Sequence, residues 1–409
     1  MVFRKVFCEK KLIISILLLY GFVSVFGINT ENSIILSDKA EITLLTSTPG
    51  EELYSVFGHS ALRVNDPENE IDLVYNYGTF DFDTPNFYYK FAKGRLMYML
   101  SVGPYRYYES VYRIEGRAIY EQVLNLYSFE KQKVFEFLRE NALPENKYYH
   151  YDFFYDNCAT RIRDIVDEKL NVEWYEEPYD PDRRTFRDLL SPYLENMPWS
   201  EFGIDIALGL PADKVAEPYE YMFIPDEMFI AFANAQMVDE RPLVSEDRIL
   251  LEKRSQPAPP HPISPNIAFW LIFALGLISF ANKKAAKLFD IIFFSALSIT
   301  GLLIIFLWFI SEHLATNSNM NLLWALPFHI YFFLKYHFST LNSFSKWYFK
   351  VIMVLSALMI FFWELIPQGY NAAFFPIVFL IFIKSIPPAL DINITDMLHS
   401  LFRKKKKTL

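Results

Sequence analysis

Cysteine and histidine are scarce in this chain, and a clustered set of metal ligands is missing altogether. Of two cysteines in 409 residues, Cys8 lies in a charged N-terminal leader, so Cys158 has no disulfide partner in the domain that follows. Up to Gln256 the histidines number two, His59 and His150, so any base for that thiol comes from a short list. No group of His, Cys, Asp and Glu has metal-ligand spacing and no internal repeat is visible, so neither a metal nor another cofactor is expected. The net charge of −9 is uneven, with acidic residues in the part before Arg254 and basic ones towards the C terminus, and nothing in it suggests nucleic-acid binding.

What the chain has in excess is apolar and aromatic residues: 52% hydrophobic and 18% aromatic, with 40 Phe and 26 Tyr. The excess is uneven. Up to about Arg254 the sequence is mixed, charged and Tyr-rich, and from Ile263 it becomes a series of long apolar runs. At the N terminus Arg4, Lys5, Lys10 and Lys11 precede the run Leu12 to Phe26, with small-residue spacing at Val25-Phe-Gly27. This is the pattern of a secretory signal peptide over residues 1–27, the alternative being an uncleaved anchor. An exported domain (28–255), a Pro-rich linker (256–262) and a transmembrane domain (263–409) follow.

Five spans are expected, near Asn266 to Ala281, Leu288 to Ile310, Leu322 to Phe338, Trp347 to Ile366 and Ala372 to Ile386. Lys283, Lys284 and Lys287, then Lys346, then Arg403 with Lys404 to Lys407 all fall on one side of such an arrangement. The positive-inside rule makes that side cytoplasmic, so the exported domain and the loops Ser311 to Asn321 and Pro367 to Asn371 face outward. The basic tail reads as a topology anchor against anionic lipid.

In Tyr155-Asp-Asn-Cys-Ala-Thr-Arg161, apolar Ile162, Ile165 and Val166 recur at helical spacing, and Asp156 or Asn157 is a capping side chain. Cys158 therefore falls in a first helical turn, where free amides and the helix dipole favour a thiolate and can lower its pKa from about 8.5. The plainer reading is a small buried hydrophobe. An unpaired cysteine in an exported domain tips the balance towards a reactive thiol.

Strand signals cover Glu41 to Thr48, Tyr54 to Val64 and Ile71 to Gly78, the last two as a hairpin turning at Asn65-Asp-Pro67. Alternation puts Leu62 and Val64 on one face, with His59, Ala61 and Arg63 on the other. His59 is a candidate general base and His150, in a Tyr-rich approach loop, a second. Thiol chemistry also needs a polar group to orient the imidazole. Asn76 on the adjacent strand is the choice, with Tyr75 and Tyr77 as alternatives if the register slips by one.

Thr84 to Arg95 reads as a short aromatic and basic helix, either lying on a bilayer surface or packing Phe87 and Phe91 into the core. Tyr105-Arg-Tyr-Tyr and Arg117 to Leu126 read as further strand, Ser128 to Asn141 as an amphipathic helix, and Asp182 to Leu194 as helix. A less regular acidic segment then runs to Arg254.

Phe57-Gly-His-Ser-Ala-Leu-Arg-Val64, Tyr75-Asn-Tyr-Gly-Thr-Phe-Asp-Phe82 and Tyr155-Asp-Asn-Cys-Ala-Thr-Arg161, in that order, resemble the Lnb N-terminal periplasmic domain family. With the multi-span C-terminal region, nearly the whole chain is similar to the Lnb-type lipoprotein N-acyltransferases. The motif order is also similar to that of circularly permuted papain-like enzymes of the lecithin:retinol acyltransferase kind. The resemblance implies an α+β fold: a permuted papain-like (NlpC/P60-like) periplasmic domain followed by a five-helix transmembrane domain. It implies Cys158 as nucleophile and His59 as base, with Asn76 as orienter. Tyr77 and the outer-loop residues His313, Asn319 and Asn321 would contact substrate. The implied partners are a phospholipid acyl donor, a diacylated lipoprotein acceptor and the inner membrane itself, with no nucleic acid. Two other readings use the same residues: a membrane-tethered cysteine peptidase or amidase acting on cell-wall peptides, and a non-catalytic assembly protein with Cys158 in its core.

Overall fold

The computed structural model describes residues 34–174, 184–254 and 263–392. The readings of a signal peptide, a Pro-rich linker and a basic tail lie outside the described residues.

In the first part of the chain the strands are β1 (Glu41–Ser47), β2 (His59–Asp66), β3 (Ile71–Thr79), β4 (Met97–Pro104), β5 (Ile119–Leu124) and β6 (Tyr148–His150). The short β7 (Val172–Glu173) and β8 (Gln236–Met237) pair with each other, and β9 (Val244–Leu251) completes the set. Seven strands make one antiparallel sheet in the order β6-β4-β3-β2-β1-β5-β9. The expected hairpin forms between β2 and β3, with Leu62 opposite Tyr75 and Asp66 opposite Ile71.

The helices of this part are α1 (Phe87–Ala92), α2 (Tyr105–Glu115), α3 (Ser128–Asn141), α4 (Cys158–Lys169), α5 (Phe186–Leu194), α6 (Pro198–Ala207), α7 (Pro218–Tyr221) and α8 (Pro225–Asn234). Leu62, Val64, Tyr75 and Tyr77 form a core with Val134, Phe135 and Leu138 of α3 and Ile162, Ile165 and Val166 of α4. Each such side chain, fully buried, contributes about 1.5–3 kcal/mol. The opposite face, through Ala61, Val74 and Ile119, packs on Tyr108 and Tyr112 of α2.

Two sequence expectations are corrected here. Tyr105-Arg-Tyr-Tyr is the start of a helix: Tyr105, Tyr108 and Tyr112 recur at helical spacing, and Gly116, left-handed at φ 72°, closes it. The β-propensity of tyrosine is overridden by that period. The acidic stretch to Arg254 is regular as well, holding α6 to α8 and β9, which pairs with β5.

Among the described residues the C-terminal part has five α-helices: α9 (Pro265–Ser279), α10 (Lys283–Phe309), α11 (His329–Phe338), α12 (Ser343–Phe361) and α13 (Phe374–Leu390). By length and composition, α10 and α12 are long and apolar enough to cross a membrane, and α9 and α13 are shorter apolar helices. The third expected span, Leu322 to Phe338, is corrected to the 10-residue α11. Residues 311–328 run as turns, because Pro327 has no amide to donate and the Asn319 side chain caps a short turn at Met320–Leu323. Trp324 and Ala325 in this stretch are fully buried, and a Cβ on Gly301 of α10 would meet the Ala325 carbonyl at 2.0 Å. Irregular backbone next to a membrane helix is tolerated when it is packed into protein this way.

The two parts are docked at one end of the helices. Asn319 Nδ2 donates to the carbonyls of Ile206 (2.8 Å) and Ala207 (3.0 Å), and Asn321 Nδ2 to that of Asp205 (2.9 Å). Arg187 bridges Asp205 and Asp213, and these carboxylates accept from Asn371 Nδ2 (3.0 Å) and the Gly369 amide (2.8 Å). Lys283, Lys287 and Lys346 stand at the other end of the helices, where Lys287 covers the Phe338 ring and Lys346 pairs with Asp391.

Candidate active site

The helix that carries Cys158 starts where it does because Asn157 caps it. Asn157 Oδ1 accepts from the amides of Ala159 (2.8 Å) and Thr160 (3.0 Å), and Thr160 Oγ1 accepts from the Asn157 amide (2.7 Å). Its Nδ2 donates to the carbonyls of Phe153 (2.9 Å) and Phe223 (2.8 Å), so the cap is itself anchored from two sides. Cys158 is the first helical residue and is half-buried. Asp156, the other capping candidate, pairs instead with Arg161 (Nη2 to Oδ2 2.8 Å), whose guanidinium lies 4.0 Å from the centre of the Tyr149 ring.

His59 is the first residue of β2 and reaches both Cys158 and Asn76. Its Nε2 lies 2.5 Å from Asn76 Oδ1. An amide oxygen only accepts, so Nε2 carries the proton, and Nδ1 is the nitrogen left for the thiol. Asn76 ends the regular pairing of β3 with β4, whose register shifts between Asn76 and Thr79. Gly78, inside that irregularity, has φ +86°, and a Cβ there would lie 3.5 Å from Cys158 Cβ and 3.9 Å from His59 Cε1. The bulge re-aims the strand end beside the thiol and imidazole, and the positive φ it needs favours glycine there.

The electrostatics favour an ion pair. Burial pushes the Cys158 thiol up, but the His59 charge, the hydrogen bond to its ring and the amides of Ser60 and Ala159 outweigh it and bring the pKa below the usual thiol value. Burial likewise pushes His59 down, yet the Cys158 thiolate and the hydrogen bonds to Cys158 and Asn76 leave it raised. A lowered thiol and a raised imidazole mean that each group favours the charged form of the other, which suits Cys158 as nucleophile and His59 as its base.

The other sequence candidates lie elsewhere. Tyr75 and Tyr77 are buried in the core, and the Tyr77 hydroxyl donates to Asn141 Oδ1 (2.8 Å). Strand alternation turns both tyrosines away from Asn76, which corrects Tyr77 as a substrate contact. His150 is exposed opposite Met97 at the sheet edge. His313 Nε2 donates to the Phe91 carbonyl (2.8 Å). Asn319 and Asn321 do face the sheet domain, but both are fully buried and bonded to the end of α6, leaving no surface for substrate. Of the two capping residues the sequence offers, Asn157 is the one used; the Ser60 amide and the bulge at Gly78 are site components with no sequence signal beyond the glycine itself. Among the described residues no His, Cys, Asp and Glu group could hold a metal.

Fold and site together define a membrane protein whose sheet-rich N-terminal domain carries a cysteine–histidine pair at the start of a helix. Residues 31–191 match the model of the Lnb N-terminal periplasmic domain, and residues 257–392 that of the Lnb transmembrane domain. The chain belongs to the Lnb family, a membrane protein with a periplasmic N-terminal domain. No curated protein and no solved structure matches it.

Proposed function

We propose that this protein is a thiol acyltransferase that moves an acyl chain from phospholipid, through a Cys158 thioester, to the N-terminal amine of a diacylated lipoprotein. The observation that carries the reading is the Cys158, His59 and Asn76 constellation on a periplasmic domain bonded to apolar helices.

In the first step the Cys158 thiolate attacks the carbonyl carbon of a phospholipid ester. The S–C bond forms, the C–O bond breaks, and His59 Nδ1 gives its proton to the departing lysolipid oxygen. In the second, the lipoprotein amine attacks the thioester carbonyl. The C–N bond forms, the C–S bond breaks, His59 takes the proton from the amine, and the thiolate and imidazolium are restored. A thioester is more reactive towards amines than the oxygen ester it came from, and two half-reactions let the lipids enter in turn. Asn76 keeps the imidazole in the tautomer both steps need. In this reading the domain lies outside the inner membrane and the lysine-bearing ends of the helices face the cytoplasm.

The test is mass spectrometry of lipoprotein N-terminal peptides from cells carrying the native chain or Cys158→Ala. Loss of the N-acyl group with the variant present in the membrane supports the reading. Unchanged triacylated peptides overturn it and turn attention to cell-wall peptides as substrate.

A further inference from the structure

Helix α1 has no buried residue, although aromatic side chains dominate it and the turn before it. Tyr88 is 80% exposed, Phe82 66%, Tyr89 61% and Phe91 51%. Such a patch calls for a partner. The core-packing alternative for Phe91 fails on this exposure.

The position of α1 says what that partner is. The Glu312 amide donates to the Lys93 carbonyl (2.9 Å), His313 Nε2 to the Phe91 carbonyl (2.8 Å), and Arg95 pairs with Glu312 (2.6 Å). Glu312 and His313 follow directly on α10, the longest apolar helix, which ends in the stacked aromatics Trp308 and Phe309. Trp and other aromatics at the end of a span mark the headgroup level of a bilayer. The aromatic ledge is therefore bonded to the chain at the depth where the membrane begins, and Lys90 and Lys93 beside it suit lipid phosphates.

From this placement we infer that the ledge Phe80 to Phe91 is seated in the headgroup and upper acyl region of the outer leaflet. The use we give it rests on the acyl-transfer reading; the insertion does not. A row of ring contacts leads inward from the ledge: Phe91 to Phe87 (6.3 Å), Phe87 to Phe80 (5.8 Å), Phe80 to Tyr98 (5.3 Å) and Tyr98 to Tyr151 (4.3 Å). Phe80 is two residues beyond Gly78, which faces Cys158. An acyl chain leaving the bilayer along these rings stays on apolar surface until its carbonyl reaches the thiol.

The test is spin-label accessibility on the full chain in phosphatidylethanolamine and phosphatidylglycerol nanodiscs. Labels are placed at Tyr88→Cys or Phe82→Cys, in a background of Cys8→Ser and Cys158→Ala, with exposed Asp239→Cys as the aqueous reference. Collision with dissolved oxygen several-fold above collision with a nickel chelate at 82 and 88, and the reverse at 239, is the expected result. The same aqueous ratio at all three sites overturns the inference. No catalysis is needed for this readout. N-acylation is read separately, on lipoproteins from cells carrying the chain with Cys158 intact: an aqueous ledge with that N-acylation present removes the insertion alone, and an inserted ledge with that N-acylation absent removes the acyl-transfer reading alone.

Discussion

Asn76 Oδ1 lies 2.5 Å from His59 Nε2, which leaves Nδ1 of the same ring free to serve Cys158. One contact thus fixes the tautomer, and with it the direction in which the imidazole meets the thiol.

Removing that contact has a pH signature. Cys158 is lowered, so its thiolate persists to lower pH than an ordinary thiol, and His59 is raised, so its charge persists to higher pH. Each shift favours the charged form of its group beside the other: falling pH protonates the thiolate, and rising pH deprotonates the imidazolium. In Asn76→Ala the bond that raises His59 is gone, its pKa falls, and Cys158 loses its cationic neighbour. Alkylation of Cys158 by iodoacetamide is expected to move to higher pH, and acyl transfer to fall at least about 10-fold. An unmoved alkylation curve would show that Asn76 does not orient the ring.

Cys158→Ser keeps the shape of the site but replaces an acidic, soft nucleophile with a hydroxyl that His59 must deprotonate fully. Transfer is expected to drop by about 10³-fold or more, with membrane insertion retained. Labelled acyl trapped on the native protein, sensitive to neutral hydroxylamine and absent from the variant, is the check.

Gly78→Ala places a methyl group 3.5 Å from Cys158 Cβ on a backbone at φ +86°. The left-handed conformation alone costs about 1–2 kcal/mol for a residue with a side chain. Loss of transfer with only a modest drop in melting temperature is expected. Wild-type kinetics would mean that the backbone bend at Gly78 does not position the site.

Asn321 is a docking residue in this structure: Nδ2 donates to the Asp205 carbonyl (2.9 Å), and Oδ1 accepts from Trp324 Nε1 (3.0 Å). Asn321→Ala orphans these buried groups, at about 1–3 kcal/mol. Thermal unfolding of the full chain in detergent is expected at lower temperature. Native stability with a raised KM would return Asn321 to the substrate-binding role.

Local signals carried much of this. The cap at Asn157, the apolar spacing of Ile162, Ile165 and Val166, and the alternation of β2 and β3 are short-range patterns, and the elements they implied are present. Tyr105-Arg-Tyr-Tyr reads as strand by propensity yet forms a helix, because tyrosine suits both until the period of Tyr105, Tyr108 and Tyr112 is counted. The third span is shorter than its apolar run because Leu322 to Leu326 pack as turns against the neighbouring helices, with the Ala325 carbonyl against Gly301.

The sequence by itself determined the division into a charged domain and an apolar one, the strand that bears His59, and the start of the helix that bears Cys158. These follow from composition, periodicity and capping, which act over a few residues. Tertiary structure alone decided that His59 and not His150 reaches the thiol, and that Asn76 rather than a neighbouring tyrosine holds the ring. It also decided that Asn319 and Asn321 fasten the two parts while the aromatics of α1 stay exposed. Those outcomes depend on a bulge and on contacts between segments far apart in the chain, which no local pattern encodes.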